Sequence, residues 1–119
     1  MATVDDVRRI ALSYPGVVEG GSRGGQRAFG VPVKGKSKGL CWEWMEWVDP
    51  KKPRVANPDV WAIRVASLPR REALEAAGPE GRYVHDPHYD NYPAVLVRLD
   101  GIDDEDLRGL IEDAWIVLG

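Results

Sequence analysis

The sequence predicts an α+β domain in which helices pack on a mostly antiparallel sheet, in the order α-β-β-β-β-α-β-β-α. Three observations carry this. Apolar residues recur at helical spacing near both ends of the chain, and cap and stop signals mark a further helix before Gly78-Pro79. Between those segments, short apolar runs alternate with polar residues and are bounded by glycine and proline, the pattern of strands and turns. And 119 residues, 44% hydrophobic and 29% charged, suit one folded domain with a single modest core.

Thr3 reads as an N-cap, with Asp6 three residues on in a capping-box relation. Val4, Val7, Ile10, Ala11 and Tyr14 follow at helical spacing until Pro15-Gly16, which predicts a helix over about 4–13. "VVEGGSRGGQRAFGVPVKGKSKG" reads as two short strands, near 17–20 and 26–32, joined by glycine turns. "LCWEWMEWV" is a third strand, with Trp42 and Trp44 on one face and Cys41, Met45 and Trp47 on the other. Both faces are partly apolar, so helices should cover one of them. "DPKKPRVANPD" reads as a solvated excursion, and "VWAIRVA" resumes strand with Trp61, Ile63 and Val65 facing one way. Ser67 as N-cap and Pro69 in the first turn open a second helix that ends at Gly78-Pro79. A short strand near 82–85 follows, then "HDPHYDNYP", then a strand over 94–99 with Val95, Val97 and Leu99 on one face. Asp103 to Asp106 place acid at the N-terminus of a last helix, where the dipole favours it. Leu107, Leu110, Ile111, Ala114, Trp115 and Leu118 trace that helix's apolar stripe.

The sequence resembles the MmcQ/YjbR family over nearly its whole length, in "TVDDVRRIALSYPGVVEG", "DPKKPRVANPDVWAIRVA" and "DPHYDNYPAVLVRLDGIDDEDLRGLIEDAWIVL". The last block is the most specific. In it His88-Tyr89, Tyr92-Pro93-Ala94-Val95-Leu96-Val97 and Ala114-Trp115 occur together, in order and correctly spaced. The resemblance implies a compact fold similar to frataxin-like and secretion-chaperone-like domains, a DNA-binding role, and no established catalytic residues. Two features depart from the family pattern. Members often continue beyond the final helix into a basic tail, whereas this sequence stops at Gly119, and Cys41 stands where a small aromatic or alanine is common.

Composition narrows the chemistry. Cys41 is the only cysteine, which excludes an internal disulfide and a cysteine-rich zinc site and suits a reducing cytosol. "MATVDDVRRIALSYPG" is amphipathic and charged, not a signal peptide or span, so a soluble cytoplasmic protein without a membrane partner is expected. The net charge of −3 hides an asymmetry: residues 20–54 hold eight bases against three acids, a local +5, and the remainder carries −8. In that basic segment Lys34, Lys36 and Lys38 alternate and would share one strand face. With Arg27, Lys51, Lys52 and Arg54 they could line a phosphate backbone, which predicts weak, salt-sensitive, largely sequence-independent DNA contact. The first helix is neutral and the last acidic, so neither suits a recognition helix.

"HDPHYDNYP" gathers both histidines of the chain. Pro87 between His85 and His88 keeps the H-x-x-H pair off a helix, so neither a metal site nor a cofactor is expected. No nucleophile is paired with His88, Cys41 sits mid-strand among tryptophans, and Ser13, Ser22, Ser37 and Ser67 lie in no nucleophile elbow. No catalytic residue is therefore assigned and the protein is read as non-enzymatic. The segment reads as a structural corner, with prolines fixing φ, tyrosines laid over a core edge, and His88 bonded to a carbonyl or carboxylate. "EGGSRGGQRAFG" lacks a P-loop lysine and reads as a hairpin turn. Five tryptophans exceed what one small core needs. Trp61 and Trp115 fit the core, and at least one of Trp42, Trp44 and Trp47 should be exposed or in a cleft. Trp42, Trp44, His88, Tyr89 and Tyr92 thus frame the alternative to DNA, a small-molecule or protein-partner site.

Overall fold

Thr3 caps the first helix as its sequence predicts. Its hydroxyl accepts from the Asp6 N–H (3.2 Å), and its own N–H donates to the Asp6 carboxylate (2.9 Å), satisfying two otherwise orphaned donors. The computed structural model describes residues 2–21, 26–47 and 51–118. Its elements are α1 (Val4–Leu12), β1 (Val18–Gly21), β2 (Arg27–Val33), β3 (Lys36–Glu46), β4 (Val55–Arg64), α2 (Leu68–Ala77), β5 (Tyr83–Val84), β6 (Ala94–Arg98) and α3 (Asp104–Leu118). Short 3₁₀ turns at Pro87–Tyr89 and Leu99–Gly101 flank β6. The chain is an α+β domain, in the element order the sequence predicts. The glycine-rich turn expected around 22–25 lies outside the described residues.

The six strands form one antiparallel sheet in the order β1-β2-β3-β4-β6-β5. Lys34 and Gly35 make the two-residue turn between β2 and β3, both with positive φ (51° and 80°). Mirror-image turns of this kind match the twist of the strands they join. The turn pulls Lys36 opposite Val33 and starts β3 four residues before the aromatic run. Register then slips at Phe29/Gly30, where Gly30 pairs with Gly39 but Phe29 pairs with Cys41. Leu40 is the extra residue of this bulge, so it and Cys41 are both fully buried although adjacent. A second slip, between Glu43 and Trp44, moves the partner on β4 from Trp61 to Asn57. Pro58 falls inside that slip, where no ladder N–H is required. The excursion read in "DPKKPRVANPD" is thereby corrected: β4 already begins at Val55.

The sheet has an apolar layer on each face. On one face Phe29, Cys41, Trp61, Ile63, Val95 and Val97 pack against Val7 and Ile10 of α1 and Leu107 and Ile111 of α3. Trp115 lies at the edge of this layer, half-buried, stacked on Tyr14 (5.4 Å) and donating to the Pro15 carbonyl (3.0 Å). The opposite face carries a smaller layer of Val60, Ala62, Ala94 and Leu96, covered by Tyr89 rather than by a helix. Among the described residues no helix is long and apolar enough to cross a membrane.

Candidate functional site

The segment over 85–93 folds back across the sheet face turned away from α1 and α3, and two tryptophans of β3 hold it there. The Trp42 indole N–H donates to the Tyr89 hydroxyl (3.0 Å) and the Trp44 indole N–H donates to Asp86 (2.9 Å). Asp86, largely buried, also accepts from the His88 backbone N–H (3.0 Å) and from Arg54 (3.4 Å), which in addition donates to the Met45 carbonyl (3.0 Å). Burial alone would raise the Asp86 carboxyl, but the donors from Trp44 and His88 and the Arg54 charge outweigh it and hold the group below its ordinary 3.8. From α2, the buried Arg71 donates to the carbonyls of Tyr89 and Tyr92, the latter at 3.2 Å. Burial pushes the Tyr89 phenol up, so it stays neutral and can act as both donor and acceptor.

Beyond Tyr89 the sheet face stays open as a groove of about 550 Å³. Gly20, Ala28, Gly30 and Gly39 leave its floor nearly bare of side chains, and Val18 lines its β1 side. Glycine at 30 and 39 is sterically required. A Cβ at Gly30 would lie 2.7 Å from the Lys38 carbonyl oxygen, and one at Gly39 would lie 2.9 Å from the Trp42 ring. The wall is Trp42, Tyr92 and Arg64. The two rings meet edge to face at 5.9 Å, and the guanidinium carbon sits 6.0 Å from the Trp42 ring centre and 5.9 Å from that of Tyr92. Arg64 Nε donates to the Gly39 carbonyl (2.6 Å) and Nη2 to the Tyr92 hydroxyl (3.3 Å), which fixes the fork over the groove. Gln26, Trp42 and Tyr92 are shared with a second recess of about 300 Å³ that runs on to Tyr89 and His88.

The structure therefore brings Trp42, His88, Tyr89 and Tyr92 together and leaves Trp44 out, since its N–H is committed to Asp86 and its ring packs in the second layer. His88 does not bond a carbonyl or carboxylate through its ring as expected. Its backbone N–H does that, while the exposed ring makes an edge contact with Tyr89 at 5.7 Å. His88→Ala is accordingly expected to change unfolding free energy by no more than about 0.5 kcal/mol in a denaturant titration, as for an exposed side chain. His85 turns to Asp90 (3.5 Å) rather than to His88, and no group of three metal-ligating side chains occurs among the described residues.

The basic residues do not form one patch. Arg27 is bound to the buried Glu43 through its backbone N–H (2.6 Å) and its guanidinium (3.2 Å), and Arg54 is held by Asp86 and lies over Trp47 at 5.3 Å. Lys34 sits in the turn, so only Lys36 and Lys38 share a strand face. Lys38 stands opposite Val31, which packs on the helix side, and it also borders the groove. Lys51 and Lys52 are at the far end of β3, roughly 30 Å of strand away. Arg64 and Gln26 went unassigned in the sequence. Alternation in "VWAIRVA" does set Arg64 opposite Trp61 and Ile63, and that was the signal available for it.

Fold and site together define an α+β domain with helices on one sheet face and an aromatic groove on the other. No family model matches the sequence. The crystal structure of Deinococcus radiodurans protein DR2400, whose domain is DUF419 among family models, shares the fold. Its TM-score is 0.69 with 21% identity, covering 99% of this chain and 79% of that one. In sequence, the uncharacterised proteins Rv2570 of Mycobacterium tuberculosis and Mb2600 of Mycobacterium bovis are each 35% identical to it, over 98% of this chain and 88% of theirs. The chain belongs to the family of these mycobacterial proteins.

Proposed function

We propose that the protein is a cytoplasmic, non-enzymatic binding domain of the MmcQ/YjbR type whose site is the aromatic groove, and that it takes a small molecule there. One observation carries this: Trp42, Tyr92 and Arg64 are locked to one another above a floor of glycine and alanine. They form a preorganised apolar cleft with a few polar groups, of the size small-molecule sites have. The non-enzymatic reading is supported by Cys41, the strongest nucleophile present, which is sealed in the core with its thiol pushed far up by burial. In a thermal-shift screen of metabolites, at least one compound should raise the melting temperature, and Trp42→Ala should abolish that shift. A screen in which every shift survives Trp42→Ala would move the site elsewhere.

The second reading is nucleic-acid contact, favoured by the exposure of Lys34, Lys36 and Lys38 at the β2–β3 hairpin. Each lysine that neutralises a phosphate steepens the dependence of log affinity on log salt by about 0.9. Changing the three to glutamate should therefore flatten that slope by roughly 3 in an anisotropy titration of duplex DNA at low salt. An unchanged slope, or no binding at micromolar protein, removes this reading.

A further inference from the structure

We infer that the groove selects a flat ring bearing a carboxylate or phosphate, with Arg64 as the anion-binding residue. This rests on the groove reading above and adds the charge of its ligand.

The first argument is the state of Arg64. Arg27, Arg54, Arg71 and Arg82 each face a carboxylate, whereas Arg64, half-buried, faces none among the described residues. Of its five N–H donors, one goes to the Gly39 carbonyl and one to the Tyr92 hydroxyl. No described group takes the rest, which lie beside the cleft on a guanidinium that its partners already orient. Such a fork matches the two oxygens of a carboxylate or phosphate, and partial burial strengthens the bond it makes.

The second argument is what the groove leaves out. Among the described residues, no aspartate or glutamate lines either the groove or its recess. Three other clefts each have at least two: Glu72 and Asp90 beside α2, Glu105 and Glu112 beside α3, and Asp59 and Asp100 beside β4. In a chain of net charge −3, a cleft lined by Arg64 and Lys38 and by no described acid repels cations and admits anions, and of the two only Arg64 is oriented by the ring wall. The bare floor and ring wall set the other half of the ligand, since a flat group can lie on the glycine backbone and contact the Trp42 and Tyr92 rings together.

Calorimetric and ¹⁵N–¹H NMR titrations with indole-3-acetate, indole and tryptamine test this, with adenosine 5′-monophosphate against adenosine as the phosphate arm. Indole-3-acetate, or the monophosphate, should bind about tenfold or more tightly than its neutral counterpart and shift the Trp42 indole N–H, with tryptamine weakest. Arg64→Gln should erase the tenfold advantage of the anion over its neutral counterpart, whatever affinity for indole the variant retains, and Arg64→Lys should keep part of it. Whichever anion wins names the group. Equal binding of charged and neutral probes, or an advantage that survives Arg64→Gln, overturns the inference and leaves the groove reading standing. If no probe moves the Trp42 signal, both fall.

Discussion

Trp61→Ala is expected to cost about 3–5 kcal/mol of unfolding free energy and to lower the melting temperature by on the order of 15 °C. Trp61 is the largest side chain with no exposure. Its ring stacks on Phe29 at 5.8 Å and its indole N–H donates to the Pro58 carbonyl at 3.0 Å. Alanine removes the ring from the middle of the layer between the sheet and α1 and α3, and elements on both sides are held apart by their other contacts. The space therefore stays largely open, which adds a cavity cost to the lost transfer energy. The bond to Pro58 is lost as well, at the slip where β4 already leaves the regular ladder. Trp47→Ala is the internal control. Trp47 is 56% exposed and lies under Arg54, so its loss should cost at most about 1 kcal/mol, the worth of a surface cation–π contact. Urea titrations of the two variants decide the matter. Similar losses for both, or a Trp61 loss under about 1 kcal/mol, would place the main core on the other side of the sheet.

The contrast between these tryptophans shows how far the sequence can be read. α1, α3 and β6 were legible because their signals are local: a capping box, a helical stripe, an alternating run. β3 and β4 were legible as strands but not in extent. A positive-φ turn at Lys34-Gly35 lengthens β3 toward its N-terminus, and a register slip lets Pro58 sit inside β4. Both are properties of a strand pair and leave no mark in either strand alone. The site divides in the same way. An excess of tryptophans pointed to Trp42, the "HDPHYDNYP" corner pointed to Tyr89 and Tyr92, and the structure joins them. Trp44 was included on the same ground, yet its N–H is consumed by Asp86, 42 positions away. Arg64 could be placed on a face but not recognised, because what distinguishes it is that no described carboxylate faces it across the fold. The basic segment divides for the same reason. Residues close in sequence, Lys38 and Lys51, are driven to opposite ends of the longest strand.

Asp86 makes the second large prediction, because three donors from three parts of the chain converge on a carboxylate with an 11% exposed side chain. Asp86→Ala leaves the Trp44 and His88 N–H groups and the Arg54 charge without their acceptor, at a cost of about 2–3 kcal/mol. The same residue sets a pH dependence. Its carboxyl is held below the ordinary 3.8 in the folded protein, against the burial that would raise it, so in acid the unfolded chain binds the proton first. The stabilisation is present in full above the unfolded value and is lost as pH falls through the folded one, in the window below about pH 4. Unfolding free energies of the native protein and Asp86→Asn, measured from about pH 7 to about pH 3, should differ by a constant amount above about pH 5 and converge below about pH 4. Asp6 and Glu19, also held low by hydrogen bonds from Arg9 and Arg8, titrate in both proteins and cancel in the difference. Asparagine still accepts from Trp44, so the difference reports the charge and not the packing. A gap that stays constant down to about pH 3, or that changes between about pH 6 and 8, excludes Asp86 as its source.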